Sequence, residues 1–235
     1  MICIDFHSHI LPCMDDGSRS IEETVAMLRM EAEQGVSCVI ATPHFYPRYD
    51  TPGNFLEKRA VAMAQVREAM APDDHIPRVI LGAEVYFFPG MSESDQLSLL
   101  TLEGGKSILI EMPPPPWTED MYRELEAIRT RRGIIPIIAH LDRYISPIHT
   151  YGIPKRLAQL PVLVQTNAEF FLHWRTAGMA MRMLKAGQIH LLGSDCHNVS
   201  TRKPNLGEAL QRIRCKLGEA PLMRMEQYQR NALDG

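Results

Sequence analysis

The sequence lacks any apolar run near the ~20 residues that a membrane-spanning helix needs. Its most apolar stretch, 133–141, is interrupted by Pro136 and His140. The first apolar segment carries Asp5 and His7, so it does not read as a secretory signal. Cysteine is sparse: Cys3, Cys13, Cys38, Cys196 and Cys215 are odd in number and show no paired spacing. That argues against a disulfide framework and for reduced thiols in the cytoplasm. An excess of charge is missing too, with 25 basic and 28 acidic residues and a net charge of -3. Membrane insertion is not expected, and neither nucleic acid nor an anionic surface has a general electrostatic hold on such a chain. There is no internal repeat, low-complexity tract or linker, and the one proline run, 113–116, suits a loop.

What is there is a chain of 235 residues, 45% hydrophobic and 23% charged, the balance of an ordinary globular protein. Residues 1–235 read as a single domain. Short apolar runs recur at 2–6, 38–41, 79–82, 107–110, 134–139, 162–166 and 190–193. They are continuous rather than alternating, as strands buried on both faces are. Helical patterns separate them. Ser20-Ile21-Glu22-Glu23 predicts a capping box, with Ile21, Val25, Leu28 and Ala32 on the inner face and Gly35 as the stop. Further helices are predicted at 54–70, 119–132, 176–186, 206–217 and 221–232. Seven strand–helix units imply a parallel α/β sheet, either open and doubly wound or closed as a barrel. Chain length favours a barrel of seven or eight units.

The acidic and imidazole residues gather just past the predicted strand ends. His7, His9, Asp15 and Asp16 follow the first, His44 the second, Glu84 the third and Glu111 the fourth. His140 ends the fifth, Asp195 and His197 the seventh, and only the sixth, ending at Asn167, offers no metal-type ligand. Strand C-termini form the functional face of parallel α/β folds. Taken singly, each residue has an ordinary explanation as a core histidine or a salt bridge. Their shared position argues for metal ligation instead, and on an extended chain His7 and His9 point the same way.

His7, His9, Asp16, His44, Glu84, Glu111, His140, Asp195 and His197 are nine side chains, which suit two or three ions. Three divalent ions against four carboxylates leave a formal +2, a site for a dianion such as a phosphate ester, with an ionised bound water. Nitrogen and oxygen ligands without thiolate favour Mn, Fe or Zn. Arg143 and Arg202 lie close after His140 and His197, and a guanidinium fork matches phosphate oxygens. Cys13 and Arg19 have the spacing of a thiol phosphatase loop, but Asp15 and Asp16 between them would repel a phosphate. His75, His149, His173 and His190 read as packing or surface residues, His173 being the nearest of them to the mouth.

The finer motifs are His7-Ser8-His9-Ile10-Leu11-Pro12, Asp15-Asp16-Gly17, Ala41-Thr42-Pro43-His44, His140-Leu141-Asp142-Arg143-Tyr144 and Gly193-Ser194-Asp195-Cys196-His197-Asn198. In this order they resemble the PHP (polymerase and histidinol phosphatase) superfamily, and within it the bacterial tyrosine phosphatases of capsular and extracellular polysaccharide operons. The resemblance implies a distorted (β/α)7 barrel, TIM-barrel-like, with three divalent ions, manganese foremost. It implies one ion on His7, His9, Glu84 and Asp195, a second on Glu84, Glu111 and His140, and a third on Asp16, His44 and His197. Arg143 and Arg202 match the phosphate-binding arginines. The implied activity is hydrolysis of phosphotyrosine by a metal-bound hydroxide, on a bacterial tyrosine kinase that tunes polysaccharide export. Two alternatives stay open: a small-molecule phosphomonoesterase such as histidinol-phosphate phosphatase, and a metal-binding kinase partner without turnover. A homo-oligomer is compatible with the sequence, which does not decide it.

Overall fold

The computed structural model describes residues 3–70, 75–146 and 148–234. The chain opens with β1 (Ile4–Ser8), α1 (Ile21–Glu33), β2 (Cys38–Ala41) and β3 (His44–Phe45), then α2 (Pro52–Ala69), β4 (Arg78–Leu81) and β5 (Glu84–Tyr86). The middle is β6 (Ser107–Glu111), α3 (Glu119–Arg132), β7 (Ile135–Ile138), α4 (Leu141–Tyr144) and α5 (Ile153–Leu157). The last part is β8 (Leu163–Asn167), α6 (Glu169–Leu172), α7 (Ala177–Lys185), β9 (Leu191–Gly193), α8 (Leu206–Leu217) and α9 (Ala220–Asp234).

Every named strand pair is parallel. The ladder orders are β1-β2-β4 and β3-β5-β6-β7-β8-β9. The two ladders belong to one curled sheet. β2 and β3 are halves of one strand interrupted at Thr42-Pro43, and β4 and β5 are halves of another interrupted at Gly82-Ala83. Pro43 has no N–H to give the ladder, so pairing lapses there, although its carbonyl still accepts from Glu84 N–H at 3.0 Å. The last strand returns to the first: Asp195 N–H donates to His7 O at 2.8 Å and His9 N–H to Cys196 O at 2.9 Å. The result is a distorted seven-unit α/β barrel. Its seven predicted strands are all present, but two are broken and most ends shift by a residue. Residue 2 lies outside the described residues.

Local chemistry explains the helices. Ser20 Oγ accepts from Glu23 N–H at 3.2 Å, as predicted. The reciprocal half of the capping box does not form, because Glu23 Oε2 accepts from Arg19 N–H at 2.8 Å instead. Gly35, at φ +79°, ends α1 in the left-handed region, with its N–H bonded to Ala32 O. The buried face of α1 is Thr24, Val25, Met27, Leu28 and Glu31, rotated from the expected Ile21–Ala32 stripe. α2 begins two residues earlier than predicted, capped by Thr51 with Pro52 in its first turn. The brief helices α4, α5 and α6 escape the pattern because four or five residues carry no periodicity.

The barrel is filled below by Ile4, Phe6, Ile40, Ile80, Leu109, Ile137 and Leu191, and Ala232 of α9 closes the bottom. Ser107 Oγ donates to Ala232 O at 2.7 Å there. A second apolar cluster packs the helices on the outside of the sheet. With the bottom dry and plugged, polar side chains collect at the strand C-termini.

Candidate metal centre

The structure brings all nine predicted ligand residues together at that upper end. His7, His9, Glu84, His140, Asp195 and His197 are buried, His44 and Glu111 are partly exposed, and Asp16 projects outward. Glu84 is the hub. Its Oε2 meets His7 Nε2 at 3.2 Å, His9 Nε2 at 3.2 Å and His44 Nδ1 at 3.0 Å, and its Oε1 meets His140 Nε2 at 2.6 Å. His7 Nε2 and His9 Nε2 face one another at 3.1 Å. Asp195 Oδ1 lies 3.5 Å from His9 Nε2 and 3.8 Å from His7 Nε2. Asp16 Oδ1 lies 3.4 Å from His197 Nε2 and 3.6 Å from His44 Nε2.

Donor atoms within 4.8 Å of one another form overlapping groups: His7, His9 and Asp195; His7, Glu84 and His140; His44, Glu84 and Glu111; and His9, Asp16, His44 and His197. Compared with the sorting implied by resemblance, His9 also leans toward the Asp16 group. Glu111 groups with His44, and His140 with His7, both through Glu84.

Whether this donor set suits cations can be judged from its polar atoms. His44 Nδ1, Glu84 Oε2, Asp195 Oδ1 and His197 Nε2 are buried and, although each lies at ion-pair distance from another group of the cluster, none has a properly aligned hydrogen bond among the described residues. Orphaned buried polar atoms are costly, and here they converge as lone-pair donors. The far side of three of the rings is anchored. His9 Nδ1 faces Asp15 Oδ2 at 2.7 Å, His140 Nδ1 faces Asn167 Oδ1 at 2.9 Å and His197 Nδ1 donates to the Asp195 carbonyl at 2.9 Å. Anchoring one nitrogen leaves the other directed at the cluster, the habit of metal-ligating histidine. The residues fit divalent cations.

Several of these anchors are absent from a reading of the sequence by residue type. Asp15 stands at the first strand end in the sequence but outside the expected ligand set. It accepts from the His9 ring, from His44 N–H at 2.8 Å and from Gly17 N–H at 2.9 Å. The sixth predicted strand, β8, supplies Gln165 and Asn167 instead of a ligand. Gln165 Oε1 accepts from His140 N–H at 2.9 Å, and Asn167 Nδ2 donates to Asp195 Oδ2 at 3.0 Å. Asp5 Oδ1 accepts from His7 N–H at 3.1 Å and Ser194 N–H at 2.8 Å, tying β1 to the end of β9. The two strand-end ligands His140 and Asp195 both have positive φ, +52° and +55°, an unusual backbone for residues other than glycine.

The electrostatics follow. Burial pushes His9 down, but its hydrogen bond to Asp15 and the nearby Glu84 carboxylate outweigh burial and raise it to about 10. Burial opposes His140 in the same way, and Glu84 raises it. His7 is lowered, chiefly by burial, and His197 is lowered to about 4 by burial and the His9 charge. Glu84 and Asp195 are held well below the carboxylate range by the surrounding imidazoles, against the effect of burial. Glu111 is raised by burial and by Glu84.

Arg143 and Arg202 sit at the rim. Both place Nη2 on Asp195 Oδ2, at 2.6 and 2.7 Å. Arg143 also reaches Glu111 at 3.5 Å, and Arg202 reaches Asp16 at 3.8 Å. A cleft of about 350 Å³ lined by both arginines opens beside them. Cys196 is fully buried, and burial with the nearby Glu31 and Asp5 charges pushes its thiol far up, which disfavours a thiolate nucleophile. Cys13 lines a separate cleft with Asn54, Glu57 and Lys58 of α2. His190 packs as expected, its Nδ1 accepting from Val164 N–H at 3.0 Å. His173 is exposed beside Trp174.

Fold and site together define a class: a parallel α/β barrel with a buried histidine–carboxylate cluster at its strand C-termini, suited to metal binding and rimmed by two arginines. The family model for capsular polysaccharide synthesis proteins of the CpsB/CapC type matches residues 3–232, and the chain belongs to that family. It is 32% identical to the tyrosine-protein phosphatase YwqE of Bacillus subtilis, over 95% of this chain and 89% of the relative. It is 29% identical to the tyrosine-protein phosphatase CpsB of Streptococcus agalactiae, over 89% of each. A crystal structure from the pair YwqE of Bacillus subtilis and CpsB of Streptococcus pneumoniae, described as metal-dependent tyrosine phosphatases, superposes with a TM-score of 0.82. The identity there is 26%, covering 98% of this chain and 94% of that one. Among the described residues, no helix is long and apolar enough to cross a membrane.

Proposed function

We propose that this protein is a metal-dependent tyrosine-protein phosphatase, a phosphoric monoester hydrolase acting on a bacterial tyrosine kinase and so on capsular or extracellular polysaccharide synthesis. The observation that supports this most is the convergence of nine histidine and carboxylate side chains on one buried cluster, with two guanidinium groups at its edge. The relatives named as tyrosine phosphatases point the same way. Three divalent cations, manganese first and iron or zinc as alternatives, fit the donor set. One would be held by His7, His9, Glu84 and Asp195, a second by Glu84, Glu111 and His140, and a third by Asp16, His44 and His197. Bound there, they would supply Lewis-acid charge and an activated water.

This chain's own residues do the rest. Glu84 spans the groups and fixes four imidazoles around its two oxygens. Asp15 and Asn167 hold the His9 and His140 rings in register, and Gln165 holds the His140 main chain. Arg143 and Arg202 lie where they can turn from Asp195 to the equatorial oxygens of a phosphoryl group. Tyrosinate leaves with a pKa of about 10, so the leaving group needs little help from an acid. The reaction would take place in the cytoplasm.

The test is phosphate release from a phosphotyrosine peptide and from histidinol phosphate, after chelator treatment, with and without added Mn. Mn-dependent turnover that favours the peptide is expected. Preference for histidinol phosphate, or metal binding without turnover of either, would overturn the assignment.

A further inference from the structure

Above the ligand cluster stands an aromatic pair that no ligand role accounts for. In the β3–β5 ladder His44 lies opposite Glu84 and Phe45 opposite Val85. Side chains two apart on a strand share a face, and two residues advance about 6.6 Å. Tyr86 therefore stands on the same face as Glu84, one step further toward the mouth. Tyr46, the residue after β3, does the same above His44: its ring contacts the His44 ring at 5.2 Å, while Phe45 turns away onto Phe55. The two tyrosine rings meet at 5.7 Å, tilted by 43°. Both are partly exposed, and the contact of Tyr46 with the His44 ring puts the pair at the edge of the cluster. Exposed Tyr49 braces Tyr46 from behind at 6.4 Å.

A phosphate seated on the cluster carries its ester carbon outward by one oxygen. That places the organic group at the level of Tyr46 and Tyr86. We propose that these two rings form a wall on which the substrate's aryl ring stacks, so that the site selects aryl over alkyl phosphates. This rests on the phosphatase reading for its substrate class, but its geometry can be tested by binding alone.

The probes are benzylphosphonate and methylphosphonate, which differ only in the ring, the benzyl CH2 standing where the ester oxygen would be, titrated calorimetrically into the metal-loaded protein. Benzylphosphonate is expected to bind roughly three- to tenfold more tightly, the range of one ring–ring contact. Tyr46→Ala and Tyr86→Ala should each bring the ratio toward unity, whereas Tyr46→Phe should keep it, because the ring and not the hydroxyl carries the effect. Tyr46→Leu gives a second check if the alanine variant folds poorly. Equal affinity of the two probes for the unaltered protein, or an unchanged ratio in both alanine variants, would overturn the inference. The phosphatase reading fails by a different sign, absence of turnover, and the binding ratio decides the aryl wall in either case.

Discussion

Gly193 ends β9 in the one gap where β1 and β8 both press on the backbone. A Cβ added there would lie 2.4 Å from His7 Cβ, 2.8 Å from His7 N and 2.8 Å from Gln165 Nε2. Ordinary carbon contacts are about 3.5–4.0 Å, so the methyl group would intrude by about 1 Å on main chain as well as side chain. Gly193→Ala must therefore push β1 away from β9. Overpacking of this kind costs about 1–3 kcal/mol, or roughly 2–12 °C in Tm for a chain this long. The greater effect falls on the site, since His7 would leave its 3.2 Å approach to Glu84. A misplacement of about 1 Å can cost a hundredfold in rate. Gly187 is the control: it has φ +72° but nothing within 4 Å of an added Cβ, so Gly187→Ala should cost only the left-handed backbone, about 1 kcal/mol. Thermal unfolding, metal titration and phosphopeptide turnover should be measured on both. A Tm and metal affinity for Gly193→Ala equal to those of the unaltered protein would refute the packing argument.

Asp195→Ala and His44→Ala should each abolish Mn-dependent turnover while far-UV circular dichroism is retained; full activity in either would remove that residue from the metal centre. Arg143→Ala should lower kcat/KM by about 2–4 kcal/mol, the value of a lost electrostatic donor, and an unchanged kcat/KM would exclude phosphate contact. Because His9 in the metal-free protein is raised to about 10, cation loading should release its proton. Apparent metal affinity should then fall about tenfold per pH unit between pH 9 and 7 for that proton, and a pH-independent affinity would contradict it. The sign for stability is opposite: the His9 contribution to the metal-free fold is fully present below pH 6.5 and is lost as pH rises through about 10. Cys196→Ser should keep most activity, whereas a loss beyond a hundredfold would point to the thiol.

The order and type of the main elements were legible in the chain. Continuous apolar runs bounded by helical periodicity can satisfy their backbone only in a parallel sheet covered on both faces. Helix ends were legible where the signal is local, as at Ser20 and Gly35. The candidate ligands were legible for a related reason: strand C-termini share one end of a parallel fold, so residues far apart in sequence are bound to meet there. What could not be read was which partner each of them meets. Asp15 serves His9, Gln165 serves His140 and Asp5 ties His7 to Ser194, across separations that no periodicity encodes. The break at Pro43 was in the sequence, but the meeting of Tyr46 with Tyr86 beyond it depends on the register of β3 with β5. Glu31 shows the same division: by type it belongs on a helix surface, yet packing buries it beside Asp5, where burial and that neighbour raise its pKa. Periodicity reports which face of an element is buried. Only the closed barrel decides what waits on the other side.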